Sequence, residues 1–461
     1  MVESRTLHPS ILREYDIRGV VGDTLYPSDV ESIAHGFGSA LAENGGKKIV
    51  IGYDGRLHSP ELEAAAVRGL MACGLHVIRV GCGPTPMLYF ATHYFEVDSG
   101  MMITGSHNPP EYNGIKMVFQ GKAFFGEDIK TLGKRIAAGK FIQADGYEES
   151  RNVLADYVAR IVEGYSGLGD LKIAWDPGNG AAGDATRALM QLLPGTHVAI
   201  NTDIDGTFPN HHPDPTVEQN LEQLKLLVAE EDCDLGIAFD GDGDRIGVLD
   251  NKSRVIWGDQ LLVILARDVL ADEPGATIIA DVKAGQLFQD EITRLGGVPL
   301  MWKTGHSHIK SKLAEVRAPL AGEMSGHIFF KHRYYGFDDA LYSAVRLISV
   351  IASSSSSLAE ISDSLPLYIN TPEIRFDCAD DRKFAVVNEV RTRICANGKI
   401  RVNTIDGVRV ETTDGWWLLR ASNTQAVLVA RCESNTKRGL KRLKDELARQ
   451  VRLSGIIPPP I

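Results

Sequence analysis

The sequence predicts an α/β fold of four domains, with three similar mixed α/β units followed by a divergent α+β unit at the C-terminus. Three observations carry that prediction. At 461 residues the chain is too long for one core and should divide into about three or four domains of ~100–150 residues each. One order of elements recurs three times before the pattern changes. Each recurrence also ends in an apolar run and then a Gly-rich polar loop, and ligand sites of open α/β sheets lie at such strand ends.

Each unit contains an apolar strand that ends in aspartate: IVIGYD at 49–54, KIAWD at 172–176 and TIIAD at 277–281. A helical pattern follows, clearest in PELEAAAVRGLM at 60–71. Second strands come next, LHVIRV at 75–80, HVAI at 197–200 and VPLMW at 298–302. Third strands (MMI at 101–103, LGIAF at 235–239, PLA at 319–321) lead into the loops TGSHNP at 104–109, DGDGDR at 240–245 and GEMSGH at 322–327. Strands this apolar, separated by helical stretches, argue for parallel-rich sheets covered by helices. The three units are expected at residues 1–151, 152–254 and 255–366, with the serine run at 353–357 a helix-to-loop irregularity inside the third. Pro366 and Pro372 discourage helix and mark the passage into the fourth unit, 367–461. There the pattern becomes short strands at 373–376, 399–402, 407–410, 416–419 and 426–430, then a charged helix at 437–452.

An apolar share of 44% with 24% charged residues is that of a globular protein. The net charge of −11 leaves no basic field to hold a nucleic acid or an anionic membrane, although a small phosphorylated molecule needs only a local cluster of cations. No stretch approaches the ~20 apolar residues of a membrane span, and the first residues lack the apolar region of a signal peptide. Six cysteines, at 73, 82, 233, 378, 395 and 432, show no metal-type pairing and read as reduced thiols, so a cytoplasmic protein is expected.

Asp240, Asp242 and Asp244 set carboxylates at alternate positions of one loop, where they repel unless a hard divalent cation neutralises them. An EF-hand does not fit, because Arg245 stands at the turn glycine and Asn251 where the bidentate glutamate should be. Three side-chain ligands leave room for a phosphoryl oxygen, which suits Mg²⁺. Ser106 is not in a hydrolase elbow, which needs glycine at 104 and 108. Alone, its loop reads as a turn; the acidic loop elsewhere and Lys116 just downstream raise it, since a seryl phosphate needs a metal and cations to hold its charge. Glu323 and Ser325 can bond adjacent sugar hydroxyls, but their loop also reads as a turn apart from its place in the third unit. Arg420, Ser422, Asn423 and Thr424 lie between two tail strands, either as a phosphate clamp or as a hairpin turn with an incidental arginine.

Four motifs in this order, TGSHNP, DGDGDR, GEMSGH and RASNTQ at 420–425, closely resemble the α-D-phosphohexomutase family over essentially the whole chain. Met324 looks like the phosphomannomutase/phosphoglucomutase branch, whereas phosphoglucosamine mutases, the alternative, typically carry glutamine there. The resemblance implies a heart-shaped arrangement of the four domains. It implies that Ser106 is a phosphoserine and, with Asp240, Asp242 and Asp244, a ligand of Mg²⁺, and that Lys116 lies beside the transferring phosphoryl. It implies that the 322–327 loop reads the 3- and 4-hydroxyls and that Arg420 to Thr424 clamp phosphate. His306 in KTGHS becomes a candidate acid/base near physiological pH, Tyr15 and Arg18 in EYDIRG match an N-terminal active-site segment, and Arg245 and Lys283 complete the cations. The implied activity is that of an isomerase, an intramolecular phosphotransferase. It would interconvert hexose 1-phosphate and hexose 6-phosphate through a hexose 1,6-bisphosphate, with glucose 1,6-bisphosphate as activator. Its expected partners are small hexose phosphates only, and a monomer is expected.

Overall fold

The computed structural model describes residues 6–396, 400–423 and 425–459. Its first three units share one four-stranded core. At the centre lie Lys48–Tyr53, Lys172–Asp176 and Thr277–Asp281. Parallel to each, on one side, runs the second strand: His76–Cys82, Thr196–Ala199 or Val298–Trp302. On the other side runs the third: Gly100–Ile103, Leu235–Phe239 or Leu320–Gly322. Strand order thus reverses about the centre, and such a reversal opens a crevice at the C-terminal strand ends.

A fourth strand then returns antiparallel to the third, as Tyr112–Phe119, Ile246–Asp250 and Ile328–Phe330. The three Gly-rich loops are therefore hairpin turns at the crevice. They are far shorter than the dozen or so residues a parallel crossover needs, so the chain has to turn back. Ile17–Val20, Lys122–Ala123 and Tyr147–Ser150 extend the first sheet to seven strands, and Val255–Ile256 brings the second to five.

Local chemistry accounts for the helices. Ser59–Met71 has a proline in its first turn, where the missing N–H costs nothing, with Glu61 near its start and Arg68 near its end to match the helix dipole. The serine run ends in a capping box: Ser357 accepts from the Glu360 backbone while the Glu360 carboxylate accepts from Ser357 N at 2.8 Å, opening the helix Leu358–Asp363.

One apolar core runs from the helix Thr85–Tyr94 of the first unit through the second and third. The tail has its own core and meets the third unit over Val282, Met301, Ile405, Trp416 and Leu418. Its sheet is antiparallel, in the order Ile369–Asn370, Val427–Ser434, Gly415–Ala421, Val408–Thr412, Arg401–Asn403, with Ile374–Asp377 beside the first half of Val427–Ser434. The helices Asp380–Cys395 and Lys437–Arg452 pack on it. The first of these departs from the sequence reading, which places no helix between the first two tail strands. Its charged start masks the spacing of Val386, Val390 and Ile394, all buried. Of the strand expected at 399–402, Lys399 lies outside the described residues. No described helix is long and apolar enough to cross a membrane, and all six cysteines are unpaired.

Candidate active site

Ser106 sits in the first hairpin turn with φ of +48°, a left-handed conformation that is strained for a residue other than glycine. Its N–H donates to Thr104 Oγ1 at 2.8 Å, and its hydroxyl donates to Asp240 Oδ2 of the second unit at 3.0 Å. Beneath the loop, Asp54 accepts from Thr104 Oγ1 at 2.8 Å and Gly105 N at 3.0 Å. The aspartate after the central strand of the first unit is thus an anchor for the functional loop beside it. Asp281 repeats the arrangement in the third unit, accepting from Thr304 Oγ1 at 3.0 Å and Met324 N at 3.3 Å.

Asp240, Asp242 and Asp244 are fully buried and bring one carboxylate oxygen each within 4.8 Å of the others. Asp240 Oδ1 is occupied by the N–H groups of Asp244 and Arg245, both at 3.1 Å, which leaves Oδ2 for the serine. Thr85 Oγ1 donates to Asp242 at 2.5 Å, and Lys116 Nζ bridges Asp242, at 2.6 Å, and Asp244. Burial first, and then Asp242 and Asp244, push the Asp240 carboxyl well above its ordinary range. Burial opposes the charge of Asp244 too, but Lys116 and His327 outweigh it and hold that carboxyl well below. Asp242 Oδ1 is buried without a hydrogen-bond donor. An orphaned anionic oxygen in an all-oxygen set, facing a serine, fits a hard divalent cation.

The third loop joins this cage through His327. Its Nε2 lies 3.3 Å from Asp244 Oδ1, and its Nδ1 lies 2.9 Å from Glu323 Oε2 and 3.1 Å from Ser325 Oγ. Burial disfavours the imidazolium, yet Asp244 and Glu323 overcome this and raise its pKa to about 9. Glu323 Oε1 accepts from Gly305 N at 2.5 Å, and Arg245 Nε approaches His327 Nε2 at 3.3 Å. His306 differs from its expected behaviour. Burial, then Lys310 and Lys116, push its pKa well below the ordinary value, so it is neutral at physiological pH instead of titrating there.

The fourth unit closes the ring of contacts. Arg420 Nε donates to Asp406 Oδ2 at 3.1 Å, and the same oxygen accepts from Thr304 N of the third unit at 3.1 Å. Asn423 Nδ2 donates to Tyr15 OH at 2.5 Å, while Tyr15 OH donates to Thr304 O at 2.9 Å. Ser422 Oγ accepts from Gln425 N at 3.2 Å; Thr424 lies outside the described residues. Lys283 Nζ pairs with Glu373 at 3.0 Å and faces Asp281 at 3.7 Å. Arg18 pairs with Asp16 and reaches Asn108 Oδ1 of the serine loop at 3.3 Å.

Most of the described residues picked from the sequence lie in one network of short contacts that draws on all four units. His306 lies beside it, its Nδ1 3.6 Å from Asp338 Oδ2, and Ser422 is bonded within its own turn. Sequence reasoning assigned no role to His327, Asp406, Thr304 or Thr85. His327 lies two residues after Ser325 in a loop already singled out, and Asp281 was marked as a repeat position. Thr85 and Asp406 carry no comparable signal.

Comparison with known proteins follows the same division. Residues 9–143, 155–253 and 257–368 match the phosphoglucomutase/phosphomannomutase α/β/α domains I, II and III, and residues 373–450 match the C-terminal domain of that family. The chain is 43% identical over 456 residues to a phosphomannomutase/phosphoglucomutase of Pseudomonas aeruginosa, covering 99% of this chain and 98% of that protein. It is 41% identical over 439 residues to a phosphoglucomutase of Neisseria meningitidis, covering 95% of each. A crystal structure of a phosphoglucomutase/phosphomannomutase family protein from Burkholderia thailandensis superposes with a TM-score of 0.92 at 42% identity, over 98% of this chain and 99% of that one.

Proposed function

The chain belongs to the phosphoglucomutase/phosphomannomutase family, and from that membership we infer that it reversibly converts hexose 1-phosphates and hexose 6-phosphates, with mannose and glucose as the sugars. The observation that carries the reading is the Ser106 hydroxyl 3.0 Å from Asp240, in a cage of three buried carboxylates. A serine so placed is suited to carry the phosphoryl group between the two ends of a sugar.

Ser106 carries the phosphoryl group, and Asp240, Asp242 and Asp244 would hold Mg²⁺. When bound, the cation offsets the phosphoserine charge and polarises its oxygens. Lys116 lends positive charge at the same place, and Arg245 and Arg18 flank the loop. Glu323 and Ser325 orient the sugar through its hydroxyls. Arg420, Ser422, Asn423 and Thr424, with Lys283 and Tyr15, hold the phosphate that is not being transferred. In the first half-reaction the P–O bond at Ser106 Oγ breaks, one forms at the free sugar oxygen, and the proton of the sugar hydroxyl passes to the serine. In the second the P–O bond at the other sugar oxygen breaks, one forms at Ser106 Oγ, and the serine proton passes to that sugar oxygen. His306 is the residue assigned to relay that proton, although burial and the neighbouring lysines weaken it as a base. The resulting hexose 1,6-bisphosphate turns over in the site and returns its other phosphoryl group to Ser106. Glucose 1,6-bisphosphate restores enzyme that has lost its phosphate.

A coupled assay with mannose, glucose and glucosamine 1-phosphates tests the reading. Turnover of mannose and glucose 1-phosphates with little of the glucosamine compound is expected. Preferred use of glucosamine 1-phosphate would overturn the choice of sugar.

A further inference from the structure

We infer that Arg56 is the positioning residue that aims Ser106 for phosphoryl transfer, acting only through the backbone of the serine loop; this rests on Ser106 being the phosphorylated group. Arg56 follows the anchoring aspartate by two residues, and its side chain is buried, at 1% exposure. Its Nη2 donates to Ser106 O at 2.7 Å and Asn108 O at 2.5 Å, and its Nη1 donates to Pro109 O at 2.5 Å and Tyr112 O at 3.0 Å. One guanidinium thus gathers four carbonyls of a single hairpin turn.

The surroundings are built around this contact. Arg56 Nε lies 3.3 Å from Asp54 Oδ2, and its backbone N–H donates to Asp54 Oδ1 at 3.1 Å. A Cβ on Gly105 would collide with the guanidinium, so glycine is what lets the arginine pass under the loop. From the second unit, Gly206 packs on the Arg56 backbone too closely for a Cβ, and the Phe208 ring lies 5.1 Å from the guanidinium. A lysine could not replace it, since an ammonium offers three donors at one point where the planar fork reaches acceptors spread along the loop.

Ser106 is consequently held at both ends: its N–H by Thr104, its carbonyl by Arg56. These two bonds keep the residue in its left-handed conformation with Oγ facing Asp240. Arg56 touches none of the groups assigned to the sugar or its free phosphate. Its loss should therefore slow the chemical step and leave substrate binding nearly unchanged.

The test compares full-length wild type, Arg56→Lys, Arg56→Ala and Ser106→Ala with glucose 1-phosphate, Mg²⁺ and glucose 1,6-bisphosphate, alongside thermal unfolding. Both Arg56 variants should lose about 100-fold in kcat, as expected for a misplaced reacting group, with KM little changed. Millimolar guanidinium should restore part of the kcat of Arg56→Ala, and methylammonium should not. Should Arg56→Ala fail to fold, the kcat-against-KM split of Arg56→Lys decides. Wild-type kcat in Arg56→Lys, or parallel loss of kcat, KM and thermal stability without guanidinium rescue, would overturn the inference. Inactive Ser106→Ala beside an unimpaired Arg56→Lys sinks the role of Arg56 alone, whereas an active Ser106→Ala sinks the serine reading beneath it.

Discussion

Asp242 shows most simply how charge is arranged around Ser106. One of its oxygens is shared by Thr85 and Lys116, and the other is buried with no donor. Replacing it by asparagine keeps the shape but removes a charge that a divalent cation would pair with. Asp242→Asn should weaken Mg²⁺ binding in a calorimetric titration and lower kcat by roughly 100-fold, because several kcal/mol of charge stabilisation is at stake. Unchanged Mg²⁺ affinity and kcat would mean that the loop is only an acidic turn. The three aspartates were legible in the sequence because all lie in one short loop, where alternate carboxylates make little sense without a cation. His327 was not, because its partners Glu323 and Asp244 belong to different units and meet only in the folded chain. Arg56 was not, because its partners are carbonyls, which every residue has. The neutrality of His306 follows from burial that no local pattern reports.

At the scale of elements, the helix Ala340–Ala352 offers a test of how the third unit is held to the second. Its N-cap, Asp339, accepts from Tyr342 N at 2.9 Å, from Tyr334 OH at 2.7 Å and from Tyr157 OH at 3.1 Å. Burial pushes the Asp339 carboxyl up from 3.8 to about 6, more than its hydrogen bonds can offset. Below pH 3.8 the group is protonated whether the chain is folded or not, and its contribution is fully present. As pH rises through about 6 the folded chain has to ionise a buried group, and that contribution is lost. Asp339→Asn keeps an oxygen for the cap and cannot ionise. The stability of wild type relative to Asp339→Asn should therefore fall by roughly 2 kcal/mol between pH 4 and 6, measured by denaturant unfolding. A flat difference across that range would show that Asp339 titrates normally. Elements of this kind were legible where apolar runs ended in aspartate, since that grammar marked the central strands of all three sheets. The returning fourth strands were harder to orient, because an apolar strand looks the same in either direction. The helix Asp380–Cys395 escaped because its first turn is charged and its buried positions are few.

On the scale of the whole molecule, four separate units each supply one piece of a single site. Contacts run unbroken from Ser106 to Asp240 and Asp244, where Lys116 also binds, through His327 and Glu323 to Gly305, and on through Thr304 and Asp406 to Arg420. The first three units share a continuous core, while the tail that carries the proposed phosphate clamp has a core of its own. With one proposed sugar loop and one proposed clamp beside one serine, a sugar with phosphate at either end would have to present its free hydroxyl to the same Ser106. Transfer through that serine makes a definite demand on the origin of the product's phosphate. Enzyme phosphorylated with unlabelled phosphate, in excess over [³²P]glucose 1-phosphate, should in a single turnover yield unlabelled glucose 6-phosphate, with the label on the peptide that contains Ser106. Label retained in the glucose 6-phosphate, with none on Ser106, would contradict phosphoryl transfer through this residue.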